Sequence, residues 1–256
     1  MPLLPTHLHD GVATVSFHHP KGNSLPSSLL SELATEISKL AATPNARVIV
    51  LRSAGDGPFC AGASFDELVA ISTPAAGKEF FSGFSRVILA MIRAPQFVLV
   101  RVQGKAAGGA VGLVAAGDLS FAVKSASARL SELAIGIGPF VVGPCIEKKI
   151  GTAAFSTMAA GAEWQDADWC ERHGLYSQLF DSTDAMDAAV DARAQALAAS
   201  NPEAMAKLKK IFWAGTDHWD TLLDERAAMS GTLVLSAFTR DAIVRFQQRQ
   251  APPNSR

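Results

Sequence analysis

The sequence FVLVRVQGKAAGGAVG, residues 97–112, carries the clearest indication of the fold. Its first six residues are almost wholly apolar, which is typical of a strand covered on both faces. A turn rich in glycine and alanine begins at Gly104, and the spacing predicts a helix over about 108–116. The stretch therefore predicts a strand, a small-residue turn and a helix in that order, which is the repeating unit of an α/β protein.

The same alternation of strand and helix runs through the first half of the chain. Apolar runs predict further strands at 12–17, 47–52 and 119–123, and helical spacing predicts helices that contain residues 29–40 and 75–93. From about Pro144 onward we expect helices and no further strands. We divide the chain into an α/β core, residues 1–195, and a helical region, residues 196–256.

Composition excludes several classes of protein. The chain has 256 residues, 48% of them hydrophobic and 18% charged, so it can bury a full core. With 23 Lys and Arg against 24 Asp and Glu, it lacks the cationic excess that nucleic-acid binding requires. The weakly polar run 133–146 is interrupted by glycine and proline and is shorter than the roughly 20 residues of a membrane span. We therefore expect no nucleic-acid or membrane partner.

The amino terminus and the cysteines bear on location. The first residues lack the basic and apolar regions of a secretory signal, so a cytoplasmic location is expected. Cys60, Cys145 and Cys170 form no C-x-x-C pair. We predict that all three are small buried hydrophobes rather than disulfide partners or zinc ligands.

Known cofactor and nucleophile motifs do not fit. Residues 104–112 match neither the dinucleotide fingerprint nor the Walker motif, and no G-x-S-x-G elbow of a serine hydrolase occurs. The six histidines contain no H-E-x-x-H, and no carboxylate cluster completes a metal site around them. We expect neither a bound metal nor a nucleotide cofactor.

Two small-residue loops each follow a predicted strand. One is FCAGASFDEL, residues 59–68, and the other spans residues 104–112. Such loops let a ligand approach the main chain, and a following helix offers unpaired N–H groups. Two converging loops can direct two N–H donors at one oxygen, which is an oxyanion hole. The alternative is that Gly108 and Gly109 only permit close packing of a helix.

The chain resembles the crotonase superfamily, also called the enoyl-CoA hydratase/isomerase family, over nearly its whole length. The matching pieces are residues 23–25, 59–63 and 102–109, Asp118, residues 131–133 with Gly136 and Pro139, and Gly174-Leu175. Together they are specific, although any one alone is weak. The resemblance implies an α/β fold with a crotonase-like ββα spiral core, a helical C-terminal trimerisation region, and a homotrimer or dimer of trimers.

The resemblance also implies an acyl-CoA site. The main-chain N–H groups of Ala63 and Gly109 would hold the thioester carbonyl of a coenzyme A substrate, and Glu132 would be the general acid or base. Further contacts with the coenzyme A ester are expected from Ser24, Leu25, Ala61, Ser64, Phe65, Gly108, Gly112, Ser131 and Phe140. For Ser24 and Leu25 the alternative is a simple turn before a helix. Lys105, Arg245 and Arg249 are candidate cations for the coenzyme phosphates.

Glu132 lies in the otherwise apolar stretch ARLSELAIG, residues 128–136. A buried carboxylate is costly, and burial would raise its pKa toward the range of a general acid or base at neutral pH. The alternative is that Glu132 is an exposed glutamate that caps a short helix. The apolar residues around Glu132 favour a catalytic role for it.

The chain departs from the family pattern at one position. Hydratases of this family carry a second glutamate where this chain has Gly112, and one carboxylate suffices for an isomerase. The sequence therefore favours double-bond isomerisation of an enoyl-CoA, with Phe140 narrowing the acyl end of the pocket. Asp66, Glu67 or a later helix could supply a second group, so hydration of a branched or dicarboxylic ester such as 3-methylglutaconyl-CoA is an alternative. A third is an inactive crotonase-like binding or assembly module.

Overall fold

The computed structural model describes residues 4–250, with side chains over residues 4–245. The strands are β1 Thr6–His9, β2 Val12–Phe17, β3 Val48–Ser53, β4 Phe97–Val102, β5 Ala106–Ala107, β6 Leu119–Val123, β7 Ser127–Arg129, β8 Gln165–Asp166 and β9 Gln178–Phe180. The helices are α1 Ser27–Ala41, α2 Phe65–Ala70, α3 Pro74–Arg93, α4 Gly109–Ala116, α5 Gly143–Gly161, α6 Ala167–Arg172, α7 Thr183–Ala198, α8 Pro202–Phe212, α9 Trp219–Leu233 and α10 Ala237–Gln250. A short 3₁₀ helix spans Leu133–Ile135.

The large sheet has six strands in the order β1-β2-β3-β4-β6-β9. The β1–β2 pair is antiparallel and every other pair is parallel. All six residues of β4 are buried, and β4 contacts α7 and α8 as well as its neighbouring strands. The parallel strands end at one edge of the sheet, which brings the loops after β3 and β4 together.

A second, small sheet has the order β5-β7-β8. β4 is followed by β5 and then by α4, and β6 is followed by β7, so the chain alternates between the two sheets. This arrangement confirms the α/β spiral that the resemblance implied.

The predicted strands at 12–17, 97–102 and 119–123 are confirmed residue for residue, and β3 lies one residue later than predicted. The prediction that strands stop at about Pro144 is wrong. β9 adds the last strand to the large sheet, and β8 joins the small one. Both are only two or three residues long, so they show no apolar period of their own.

A close contact between α3 and α9 attaches the C-terminal helices to the core. A Cβ on Gly77 would lie 2.7 Å from the Gly231 Cα, so neither helix can carry a side chain at the crossing. α7 continues through the predicted boundary at residue 195 and ends at Ala198. The division at 195 stays a prediction.

A buried ion pair fixes α8 to the large sheet. The Lys209 Nζ lies 2.9 Å from the Asp118 Oδ2, which also accepts the Val98 N–H at 2.7 Å. The Trp213 indole donates to the other carboxylate oxygen at 3.0 Å. Lys209 donates further to the carbonyls of Met91 and Gln96, both at 2.7 Å. These partners offset the cost of burying both charges.

Over residues 4–250, no helix combines the length and the apolar character that crossing a membrane would take. Cys60, Cys145 and Cys170 are all free and buried, which confirms the predicted burial of each.

Candidate active site

The loops after β3 and β4 are joined by main-chain hydrogen bonds. The Cys60 N–H donates to the Lys105 carbonyl at 3.1 Å, and the Ala107 N–H donates to the Cys60 carbonyl at 3.0 Å. Gly62 has a φ of +93°, and a Cβ there would lie 2.9 Å from the Ala107 oxygen. Glycine is therefore required at residue 62 both for its backbone angle and for the close approach of the second loop.

The first candidate donor is the Ala63 N–H. The Leu25 N–H donates to the Gly62 carbonyl at 2.8 Å, and the Ser64 N–H donates to the Leu25 carbonyl at 3.3 Å. This parallel bridge uses the groups on either side of Ala63. Within the described part of the chain, the Ala63 N–H has no acceptor. Ser24 and Leu25 lie beside this turn, and their predicted contact with coenzyme A stays a prediction.

The second candidate donor is the Gly109 N–H, at the first position of α4. Gly108 has a φ of +55°, and its N–H donates to the Arg129 carbonyl at 2.8 Å. The Gly109 N–H has no acceptor among residues 4–245 and belongs to the unpaired first turn of the helix. A Cβ on Gly109 would overlap the Phe84 ring. Glycine at 109 thus serves close packing and also leaves the N–H open to a ligand.

Glu132 lies beside these donors. Its Oε1 is 3.3 Å from where a Cβ on Gly108 would be. The residue as a whole is partly exposed, but its Oε2 is buried and has no hydrogen-bond partner in the described structure. Burial of the carboxyl raises the pKa of Glu132 to about 7, against a smaller lowering by the nearby main-chain N–H groups of Glu132 and Ser131. A carboxyl with this pKa can take or give a proton at neutral pH.

Two aliphatic side chains pack against Gly112, the position at which hydratases of this family carry their second glutamate. Gly112 lies on α4, and a Cβ there would be 2.6 Å from the Val142 Cγ1 and 3.3 Å from the Ile88 Cδ1. The structure therefore buries Gly112 beneath two aliphatic side chains. The sequence does not single out Val142, just before α5, or Ile88 on α3, since an aliphatic residue by itself gives no signal of a role at a site.

The two acidic residues suggested as substitutes have other partners. Asp66 is exposed and forms an ion pair with Lys21. Glu67 accepts the Ser27 N–H at 2.8 Å and the Ser27 hydroxyl at 2.7 Å, at the first turn of α1. The two carboxylates attach α2 to the turn after β2 and to the start of α1.

The remaining predicted contacts surround the two loops. Ala61 is exposed, and its N–H donates to the Gly22 carbonyl at 3.0 Å. The Ser64 hydroxyl caps α2 by accepting the Glu67 N–H at 3.3 Å, and Phe65 is the first residue of that helix. The Phe140 ring folds back over Gly138. Ser131 is partly buried beside Glu132.

Of the candidate phosphate cations, Lys105 lies with its Nζ 5.1 Å from the centre of the Trp164 ring. Arg245 is exposed on α10. The side chain of Arg249 lies outside the described residues.

Comparison with known proteins agrees with this fold. The family model described as enoyl-CoA hydratase/isomerase matches residues 7–252. The carnitinyl-CoA dehydratase of Proteus mirabilis is 27% identical over 207 residues, which cover 80% of this chain and 78% of that protein. The mitochondrial methylglutaconyl-CoA hydratase of Rattus norvegicus is 29% identical over 181 residues, which cover 70% of this chain and 57% of that protein.

The crystal structure of an enoyl-CoA hydratase from Bacillus halodurans superposes with a TM-score of 0.89 at 16% identity. The superposition covers 95% of this chain and all of the other, and at this identity it shows the fold alone. Fold and family match together define an acyl-CoA enzyme of the crotonase superfamily. By the match over residues 7–252, the chain belongs to the enoyl-CoA hydratase/isomerase family.

Proposed function

We propose that this protein shifts the double bond of an enoyl-CoA, with Glu132 as the only acid–base group. The observation that carries the proposal is the pairing of a buried carboxyl beside Gly108 with an aliphatic wall at Gly112. A hydratase of this family divides its work between two carboxylates. Here Glu132 supplies one carboxyl, and Val142 and Ile88 pack against Gly112, where the second would stand.

The proposed reaction is a proton transfer between two carbons. The Glu132 carboxylate removes a proton from C2 of a 3-enoyl thioester, and the electron pair moves onto the thioester oxygen. The main-chain N–H groups of Ala63 and Gly109 would stabilise this enolate. The protonated Glu132 then returns the proton to C4, and the double bond moves from C3–C4 to C2–C3.

Two N–H donors and one acid–base group together are sufficient for catalysis. Removal of one donor from an oxyanion hole costs about 3 kcal/mol in other enzymes, and a positioned acid–base group contributes roughly 10²- to 10⁴-fold in rate. The coenzyme A thioester is the substrate, and the reaction transfers no electrons to an acceptor. We therefore propose that no further cofactor is used.

Hydration of a branched or dicarboxylic enoyl-CoA is the second candidate. It is favoured by the names of two relatives, a dehydratase and a methylglutaconyl-CoA hydratase. It requires a group that activates water, and neither Asp66 nor Glu67 is available for that. An inactive binding module is a weaker candidate, because Glu132 and both free N–H groups are retained.

One experiment distinguishes these candidates. The purified protein is incubated with matched 2-enoyl and 3-enoyl CoA esters, 3-methylglutaconyl-CoA included, in ¹⁸O-labelled water. We expect interconversion of the 2-enoyl and 3-enoyl esters without ¹⁸O in the product. Label at C3 would establish hydration instead, and no turnover with any ester would leave only the binding module.

We also propose a homotrimer or dimer of trimers in the cytoplasm. Exposed apolar side chains on the C-terminal helices support assembly, among them Ile211, exposed by 70%, and Phe238, exposed by 60%. Sedimentation equilibrium tests the assembly, and a monomer at micromolar concentration would contradict it.

A further inference from the structure

In the turn that contains Ala63, one main-chain N–H donates its hydrogen bond to a side chain rather than to a carbonyl. Among residues 60–64, every N–H except that of Ala63 has an acceptor. These acceptors are, in chain order, the Lys105 carbonyl, the Gly22 carbonyl, the Cys60 Sγ and the Leu25 carbonyl. The Gly62 N–H is thus the one group in the turn whose bond depends on a side chain, at 3.3 Å from the sulfur.

Cys60 contacts both polar groups of Gly62. The thiol also lies 3.8 Å from the Gly62 carbonyl oxygen, within reach of a weak S–H donor. The side chain is completely buried, and burial raises the pKa of the Cys60 thiol to about 12. The sulfur is therefore protonated at neutral pH, so it can accept from the N–H and donate to the carbonyl of one residue.

This contact determines which N–H is left for a ligand. A buried N–H without a partner costs free energy, so Gly62 would seek another acceptor if the sulfur were removed. The carbonyl oxygen of a bound thioester is the nearest acceptor the reaction would bring. Rotation of the Gly62 N–H toward it would pull on the next peptide, which contains the Gly62 carbonyl and the Ala63 N–H and is also held by the Leu25 N–H at 2.8 Å.

We propose that Cys60 is a positioning residue that sets the orientation of the Ala63 N–H by holding the Gly62 N–H. This role rests on the proposed function of the Ala63 N–H as an oxyanion donor. Cys60 does not touch the substrate, and it acts only through the main chain of Gly62.

The test compares acceptors of different strength at residue 60. Cys60→Ala and Cys60→Val both remove the acceptor, and valine retains the apolar volume. Cys60→Ser supplies a hydroxyl acceptor in place of the thiol. Cys170→Ala is the matched control, because Cys170 is also buried and also lies near a main-chain carbonyl, but on α6.

Three measurements are made on each folded variant. Hydrogen exchange of the Gly62 amide reports the bond itself. The red shift of the absorption band of cinnamoyl-CoA on binding reports polarisation of the thioester carbonyl, without any turnover. Steady-state kinetics with the ester accepted by the wild type separates kcat from KM.

We expect at least tenfold faster exchange at Gly62, at least half of the red shift lost, and kcat reduced about tenfold in the alanine and valine variants. KM should change less than twofold, and the serine variant and Cys170→Ala should stay within threefold of wild type. Wild-type shift and kcat in a folded valine variant would overturn the role of Cys60. A wild type that binds cinnamoyl-CoA without any red shift would instead refute the oxyanion hole, and with it the proposed function.

Discussion

Val142 fills the space into which a side chain at residue 112 would project. The Val142 Cβ and Cγ1 lie 2.7 Å and 2.6 Å from the position of a Cβ on Gly112. Gly112 and Val142 are therefore a matched pair, and the glutamate that the family's hydratases carry cannot be added here by one substitution. The loss of the second carboxylate is coupled to the packing of α4 against α5.

We expect Gly112→Glu alone to destabilise the fold by about 3 kcal/mol or more, because the new side chain clashes with Val142 and buries a carboxylate. The double variant Gly112→Glu with Val142→Gly removes the obstructing side chain. It should recover much of the stability and acquire ¹⁸O incorporation from water into enoyl-CoA substrates. Urea unfolding and mass spectrometry of the products measure the two effects.

A single variant as stable as the wild type would show that α4 and α5 separate easily, and the coupling of the two positions would be wrong. Val142→Gly alone is the control for the cavity that the double variant opens.

Glu132→Gln should lower kcat by roughly 10²- to 10⁴-fold, the range typical of an acid–base group. The amide has nearly the shape of the carboxyl, so affinity for an acyl-CoA should change little. Stopped-flow kinetics and calorimetry of binding test both parts. Glu147→Gln, a substitution of a glutamate on α5, is the control. Full activity in Glu132→Gln would show that another group moves the proton.

The pH dependence of kcat/KM should follow Glu132 in the free enzyme. Because the reaction begins with the carboxylate, the rate should rise with pH and level off above the pKa of about 7. A rise centred near the ordinary glutamate value of 4.5 would show that the carboxyl is solvated in the working enzyme.

Long apolar strands and the two small-residue loops could be predicted from the sequence, because each carries its own pattern. β1 was missed although Asp10-Gly11, between β1 and β2, is a strong hairpin signal; their φ angles are +46° and +80°. β9 could not be predicted from the sequence, because three residues are too few to show a period and the strand is defined by its pairing with β6. The role of Val142 depends on the contact of α4 with α5, which no local pattern encodes.

The close contact between α3 and α9 predicts that substitutions at two helical glycines will have very different effects on stability. Gly231→Leu should lower the free energy of unfolding by about 2 kcal/mol or more, since the side chain would overlap the main chain of Gly77 and Lys78. Gly161→Leu places the same side chain at the end of α5, where nothing lies within 4 Å. It should leave the stability unchanged within about 0.5 kcal/mol. Equal effects of the two substitutions in urea unfolding would contradict the close contact.

Burial of Glu132 also predicts how stability depends on pH. The folded protein holds the Glu132 proton with a pKa of about 7, against an ordinary value of 4.5, so the folded state binds more protons between these values. The stabilising contribution is complete below about pH 4.5 and is lost as the pH rises through 7. At about 1.4 kcal/mol per pKa unit, its loss between pH 5 and pH 8 is about 2.5 kcal/mol.

The glutamine in Glu132→Gln cannot ionise, so the variant should not show this loss of stability as the pH rises. The difference in the free energy of unfolding between the variant and the wild type should therefore grow, in favour of glutamine, by about 2.5 kcal/mol from pH 5 to pH 8. Subtracting the two proteins at each pH removes the contribution of every other titrating group. A difference that stays constant with pH would mean that the buried Oε2 gains a partner in solution, and the carboxyl would then be too acidic to return a proton to carbon at neutral pH.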